Sequence, residues 1–155
     1  MDLILWRHAE AVDADGGGDF DRALTGRGER QAARMASWLN QQLPATTRIL
    51  VSPARRTQQT AAALGRKFKT VDALAPGATV HDLLVASRWP TAREPVLVVG
   101  HQPTLGLAAA YLMAGVIQAW PVKKGAVWWL RRRRRDGDGD GGQTVLVTVR
   151  GPDGV

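Results

Sequence analysis

Three short apolar runs, residues 3–6 (Leu-Ile-Leu-Trp), 49–51 (Ile-Leu-Val) and 96–99 (Val-Leu-Val-Val), do most to restrict what this chain can become. Each is continuous rather than alternating, and each is closed by a polar or turn-forming residue: Arg7, Ser52 and Gly100. Continuous runs of this length suit strands buried on both faces, as in a parallel sheet covered by helices. The intervening segments have a helical period. Ala32, Met35, Ala36, Leu39 and Leu43 recur at three- and four-residue steps behind a candidate N-cap, Thr25, and Pro44 stops the pattern. After Pro53 the stripe Ala61, Leu64, Phe68 predicts a second helix, and after Pro103 residues 105–113 predict a third, ending at Gly115. Residues 126–130 and 144–149 read as an antiparallel hairpin, joined by an Arg, Asp and Gly segment over 131–142 that is expected to be a flexible loop. The expected fold is a three-layer α/β/α sandwich: a mostly parallel central sheet, helices on both faces and a C-terminal antiparallel hairpin.

A chain of 155 residues suits one domain with a real core, so residues 1–155 are read as a single unit. Trp128 and Trp129, adjacent on a strand, must face opposite ways, so at most one belongs to the core. The absence of cysteine removes thiol nucleophiles, disulfides and cysteine metal sites. The first apolar stretch is too short for a leader, and no run approaches a transmembrane span, so the expectation is a cytoplasmic protein without membrane contact.

The net charge of +7 invites a nucleic-acid reading. Residues 131–135 are five arginines, but Asp136, Asp138 and Asp140 follow at once, and no aromatic stacking platform or groove-reading helix accompanies them. Nucleic acid is therefore not the expected partner; an anionic substrate suits the charge as well. The Asp-Gly repeat at 136–141 imitates the opening of a calcium loop, but its twelfth position would be Val147, so no metal is expected.

In a parallel sheet the three strand ends lie side by side, and each carries polar groups: Arg7-His8, Ser52 with Arg55 and Arg56, and Gly100-His101. Two of these ends begin helices, whose free N–H groups favour an anion. Two histidines and at least two arginines on one edge propose a phosphoryl site. A neutral imidazole can attack phosphorus and hold the group covalently, while guanidinium forks match phosphate oxygens and stay charged. A second histidine can donate to the same oxygens or shuttle a proton.

The residues Leu3-Ile4-Leu5-Trp6-Arg7-His8-Ala9-Glu10-Ala11 resemble the Arg-His signature of the histidine phosphatase superfamily, with its phosphoglycerate mutase-like fold, in the form found in SixA-type phosphohistidine phosphatases. Arg22-Ala23-Leu24-Thr25 is similar to the family's Arg-Pro-Leu-Thr element, and Ser52-Pro53-Ala54-Arg55-Arg56-Thr57-Gln58-Gln59-Thr60 to its Ser-Pro-x-x-Arg-x-x-Gln-Thr helix. Leu74-Ala75-Pro76-Gly77, Val99-Gly100-His101-Gln102-Pro103 and Lys124-Gly125-Ala126-Val127 continue the matches in family order to about residue 130. Ala9 replaces a frequent glycine and Ala23 the proline; neither change removes a reacting group.

The resemblance implies a metal-independent, cofactor-free phosphatase in which His8 is the phosphorylated nucleophile, Arg7 and Arg56 clamp the phosphate, and His101 is the second catalytic histidine. Arg22 and Thr25 would be pocket residues. Branches that cleave phosphate esters add a carboxylic acid for the leaving group, and this short chain has no inserted lid to supply one. Glu10, His81, Asp82 and Glu94 are the possible donors, none supported by a motif, and His81 is expected on an exposed helix face. A minimal site suits phosphohistidine, whose leaving nitrogen is itself basic. The expected partner is a phosphorylated protein, such as a histidine phosphocarrier or phosphotransfer domain, with phosphate or another anion in the site. The alternatives are a phosphatase of small phosphomonoesters and a non-catalytic phosphate-binding module.

Overall fold

A computed structural model describes residues 1–14, 16–133 and 142–155. The expected loop falls largely at 134–141, outside the described residues, and so does the calcium-loop imitation. The three apolar runs form β1 (Asp2–Arg7), β2 (Arg48–Val51) and β4 (Val96–Gly100). They alternate with helices α1 (Gly26–Gln42), α2 (Arg55–Ala62), α3 (Val80–Ser87) and α4 (Thr104–Ala114). A two-residue strand β3 (Lys69–Thr70) and the hairpin β5 (Val127–Arg133) and β6 (Gln143–Arg150) complete one six-stranded sheet, ordered β3-β2-β4-β1-β5-β6. The first four strands in that order are parallel, and β5 and β6 are antiparallel.

Strand pleating divides the core into two layers. Ile4, Trp6, Ile49, Val51, Leu97 and Val99 face α1 and α2, where Met35, Ala36, Leu39 and Ala61 meet them. Leu3, Leu5, Leu50, Val96 and Val98 face α3 and α4, packing on Leu83, Leu105, Ala108 and Ala109. Helices thus cover both faces, as expected. Trp129 is buried in the first layer, and Trp128 is a half-buried boundary residue packed against the second. Among the described residues no helix is long and apolar enough to cross a membrane.

Three local features depart from the sequence expectations. The second helix ends at Ala62 rather than continuing to Phe68: the chain turns at Gly65 with φ +65°, a conformation that a side chain disfavours. Leu64 and Phe68 nevertheless return to the same core. Pro53 and Pro103 lie just outside α2 and α4 rather than within their first turns. Helix α3 is expected only as the helix face that carries His81, with no bounds given by periodicity; Thr79 and Asp82 form a reciprocal capping box at its start. Its residue His81 is exposed, as expected.

Candidate active site

The central strands β2, β4 and β1 are neighbours and run in parallel, so their last residues arrive together. The backbone N–H of His8 donates to the Gly100 carbonyl at 3.2 Å, and that of Ser52 donates to Val99 at 3.1 Å. These bonds extend the ladder by one residue on each side. The result sets the His8 and His101 rings 5.4 Å apart, centroid to centroid, both buried.

The first histidine has a defined tautomer. His8 Nδ1 lies 2.7 Å from the Ala9 carbonyl, which can only accept, so Nδ1 carries the proton and Nε2 keeps its lone pair. Burial, followed by the charges of Arg56, Arg7 and Arg22, lowers the His8 pKa to about 4 against the opposing pull of the Ala9 carbonyl. At neutral pH the ring is uncharged, with a free lone pair on Nε2. Ala9 is itself held, because its N–H donates to Thr60 Oγ1 at 3.1 Å.

His101 Nε2 lies 2.7 Å from Ser52 Oγ, which also accepts from the Ala54 N–H at 3.3 Å. With that bond accepted, the serine proton can go to Nε2, leaving Nδ1 as the protonated donor of His101. Burial and then the charge of Arg56 lower its pKa to about 3.

Arg7 donates from Nη1 to the Val122 carbonyl at 2.9 Å. Arg56, at 4% exposure, is turned inward from the first turn of α2, whereas Arg55 is exposed and reaches Asp21. Arg56 donates from Nη1 to the Asp19 carbonyl oxygen at 2.7 Å and from Nη2 to the Asp19 carboxylate at 3.1 Å. Arg22 holds the same carboxylate at 3.1 Å and donates to the Val12 carbonyl at 2.7 Å. Among the described residues four buried side-chain nitrogens lack a partner, and three of them are Arg7 Nε, Arg56 Nε and His101 Nδ1. Unpaired buried donors are costly and uncommon, and three within one constellation mark it as built for an acceptor with several oxygens.

The structure therefore brings Arg7, His8, Arg56 and His101 together, with Arg22 at the edge through Asp19. Thr25 stands apart from them, since its hydroxyl accepts from the Gly28 N–H to cap α1 and donates to the Glu10 carboxylate at 2.8 Å. Asp82 is occupied in capping α3, and His81 sits beside it on that exposed turn, so neither joins the histidines. Glu10 is held by Thr25, and the structure gives Glu94 no contact with either histidine. Among the described residues no group of three or more His, Asp or Glu is arranged to hold a metal ion.

Several residues support the site from outside it; Gln59 and Thr60 belong to the Ser-Pro-x-x-Arg-x-x-Gln-Thr helix, whereas Asp19 and Gln31 carry no motif. Asp19 bridges two arginines, and its only sequence signal is its place three residues before Arg22. Gln59 accepts from the Leu24 N–H at 2.7 Å, Gln31 accepts from the Glu10 N–H at 3.0 Å, and Thr60 donates to the Arg56 carbonyl at 2.7 Å. Gly28 lets α1 approach this loop, since a Cβ there would collide with the Glu10 carbonyl.

The fold and this cluster define a phosphoryl-handling α/β protein, and comparison with known proteins gives its family. The profile of the histidine phosphatase superfamily (branch 1) matches residues 3–76. The phosphohistidine phosphatase SixA of Escherichia coli (strain K12) is 32% identical over 124 residues, 74% of this chain and 76% of that protein. The structure of a proposed phosphohistidine phosphatase SixA from Nakamurella multipartitia is 30% identical, covers 97% of this chain and 95% of its own, and superposes with a TM-score of 0.79. A protein histidine phosphatase SixA complexed with tungstate is 26% identical, with 99% and 98% coverage and a TM-score of 0.77. The chain belongs to the histidine phosphatase superfamily and is, by that membership, a phosphatase.

Proposed function

We propose that this protein removes phosphoryl groups from histidine side chains of other proteins through a phospho-His8 intermediate. In the first step the Nε2 lone pair of His8 forms a bond to phosphorus as the P–N bond of the substrate breaks, and the electron pair leaves on the substrate imidazole, which takes up a proton. In the second step water attacks phosphorus and the P–N bond to His8 breaks. Orthophosphate departs and the water's proton passes to the site or solvent. Arg7 and Arg56 neutralise the equatorial oxygens in both steps, and His101 Nδ1 offers a further donor.

One observation carries this reading: His8 Nδ1–H is fixed on Ala9, so Nε2 is an unprotonated nucleophile beside three unpaired donors. The preference for a P–N bond rests on the carboxylates. Asp19, the carboxylate held by Arg56, is kept below the usual range by hydrogen bonds from Arg22 and then Arg56, so it is ionised and has no proton for an alkoxide. An imidazole leaving group needs less assistance. A related SixA was solved in complex with tungstate, a tetrahedral oxyanion, which supports an anionic ligand for this protein.

A substrate panel tests the reading. Turnover of a phosphohistidine protein and of phosphoramidate, with sugar phosphates and p-nitrophenyl phosphate far slower, is the expected result. Rapid hydrolysis of a phosphomonoester with none of the phosphohistidine protein would overturn it, and so would tight phosphate binding without any turnover.

A further inference from the structure

From Arg7, the chain neighbour of His8, a groove of about 640 Å³ runs between the start of α1, the loop before β5 and the C-terminal turn at Pro152. That is far more room than a phosphoryl group fills. Its walls carry Arg27, Lys123 and Lys124, all exposed, and none of these side chains has a hydrogen bond or ion pair to a described residue. Arg27 stands in the first turn of α1, where the helix dipole disfavours a cation, so local helix stability does not explain it. The opposing charges are Glu10, already bonded to Thr25, and Asp153. Trp128 and Pro152 give the groove apolar surface.

The lysines are anchored to the nucleophile's own backbone. The Gly125 N–H donates to the His8 carbonyl at 3.0 Å, the Arg7 N–H to Ala126 at 3.0 Å, and Trp6 Nε1 to the Gly125 carbonyl at 3.0 Å. The loop that carries the lysines is thus fixed against the strand end that carries Arg7 and His8.

We infer that the Arg7-Arg27-Lys123-Lys124 groove docks an acidic segment of the phosphoprotein, next to the phosphohistidine in its chain or fold. The inference rests on the proposed function and adds to it a substrate class: phosphohistidine flanked by carboxylates. Complementary charge of this kind acts mainly on encounter and register, so the benefit appears in kcat/KM and fades with salt.

The test uses two phosphohistidine peptides of equal length, one flanked by Asp and Glu and the other by Asn and Gln, with phosphoramidate as a small substrate. The wild type is expected to prefer the acidic peptide by about tenfold in kcat/KM at low salt, and Lys123→Glu/Lys124→Glu to abolish that preference while leaving phosphoramidate turnover unchanged. Lys67→Glu/Lys69→Glu makes the same change of net charge at the opposite edge of the sheet and should retain the preference. Equal turnover of both peptides by the wild type, or a preference that survives in the Lys123/Lys124 variant, would overturn the inference. Fluorescence anisotropy of the unphosphorylated peptides reads the groove without catalysis. Selective binding of the acidic peptide with no hydrolysis of any phosphohistidine would sink the proposed function and keep the groove.

Discussion

The Asp19 carboxylate lies 3.1 Å from Nη2 of Arg56, so the guanidinium read as the phosphate clamp already holds an anion supplied by the chain itself. The same carboxylate is shared with Arg22, also at 3.1 Å. Asp19 is half exposed, and solvent screening keeps such a contact to about 1 kcal/mol or less.

An incoming phosphoryl group must share Arg56 with Asp19. Asp19→Asn removes the competing charge and should tighten inhibition by orthophosphate about threefold to fivefold, as that energy allows. Product-inhibition kinetics checks this; weaker phosphate inhibition in the variant would mean that Asp19 organises the arginines rather than competing for them.

The two histidines make stability sensitive to acid well before His8 is itself protonated in the fold. In the unfolded chain each protonates near its ordinary value of 6.5, whereas in the fold they resist until about 4 for His8 and about 3 for His101. Between these limits the unfolded state binds more protons, so stability rises with pH and is lost as pH falls from about 6.5 toward 4. The His8 ring itself remains unprotonated in the fold across the same window. Imidazole NMR titration of the ligand-free protein should give no His8 transition near 6.5, and urea unfolding at pH 7, 6 and 5 should give a falling midpoint. A His8 transition at the ordinary value would contradict the assigned tautomer and its buried setting.

In the proposed reaction Ser52 would act through His101, whose Nε2 it holds. Ser52→Ala removes the 2.7 Å contact to Nε2 and frees the ring to rotate, and losses on the order of tenfold to a hundredfold in kcat follow from misplacement of this kind. A positioning role predicts that KM changes little and that the pH profile shifts with the altered His101. An unchanged profile accompanied only by lost thermal stability would assign Ser52 to folding.

Gly28 tests how the site is held from behind. A methyl group there would meet the Glu10 backbone, so Gly28→Ala should destabilise the fold by about 1–3 kcal/mol, measured by urea unfolding. An unchanged midpoint would mean that α1 can withdraw freely from the loop after His8.

The central strands are legible in the sequence because β1, β2 and β4 are buried on both faces and so are apolar without interruption. Edge strand β3 has only Lys69 and Thr70, both exposed, and therefore no hydrophobic pattern to read. Helix α3 is short, and its clearest signal lies in the pairing of Thr79 with Asp82 rather than in periodicity. At the site, Arg7, His8 and His101 are legible because each lies at or just after a strand end, and Arg56 because it stands in the first turn of the helix that follows β2. Asp19 and Gln31 are not, because they act on Arg56 and Glu10, 37 and 21 positions away in the chain, contacts that only the fold creates; Gln59 and Thr60 are legible as motif residues, but not their partners 35 and 51 positions away.

Catalysis by this route requires a covalent bond between phosphorus and His8 Nε2. Phosphohistidine survives base, so the direct measurement is a rapid quench into alkali after mixing the enzyme with a histidine phosphocarrier labelled on its phosphoryl group. Wild-type protein should accumulate label on its own chain within one turnover and release it as orthophosphate, and His8→Ala should neither take up label nor hydrolyse the phosphocarrier. Label retained by His8→Ala, or turnover by that variant near the wild-type rate, would contradict it.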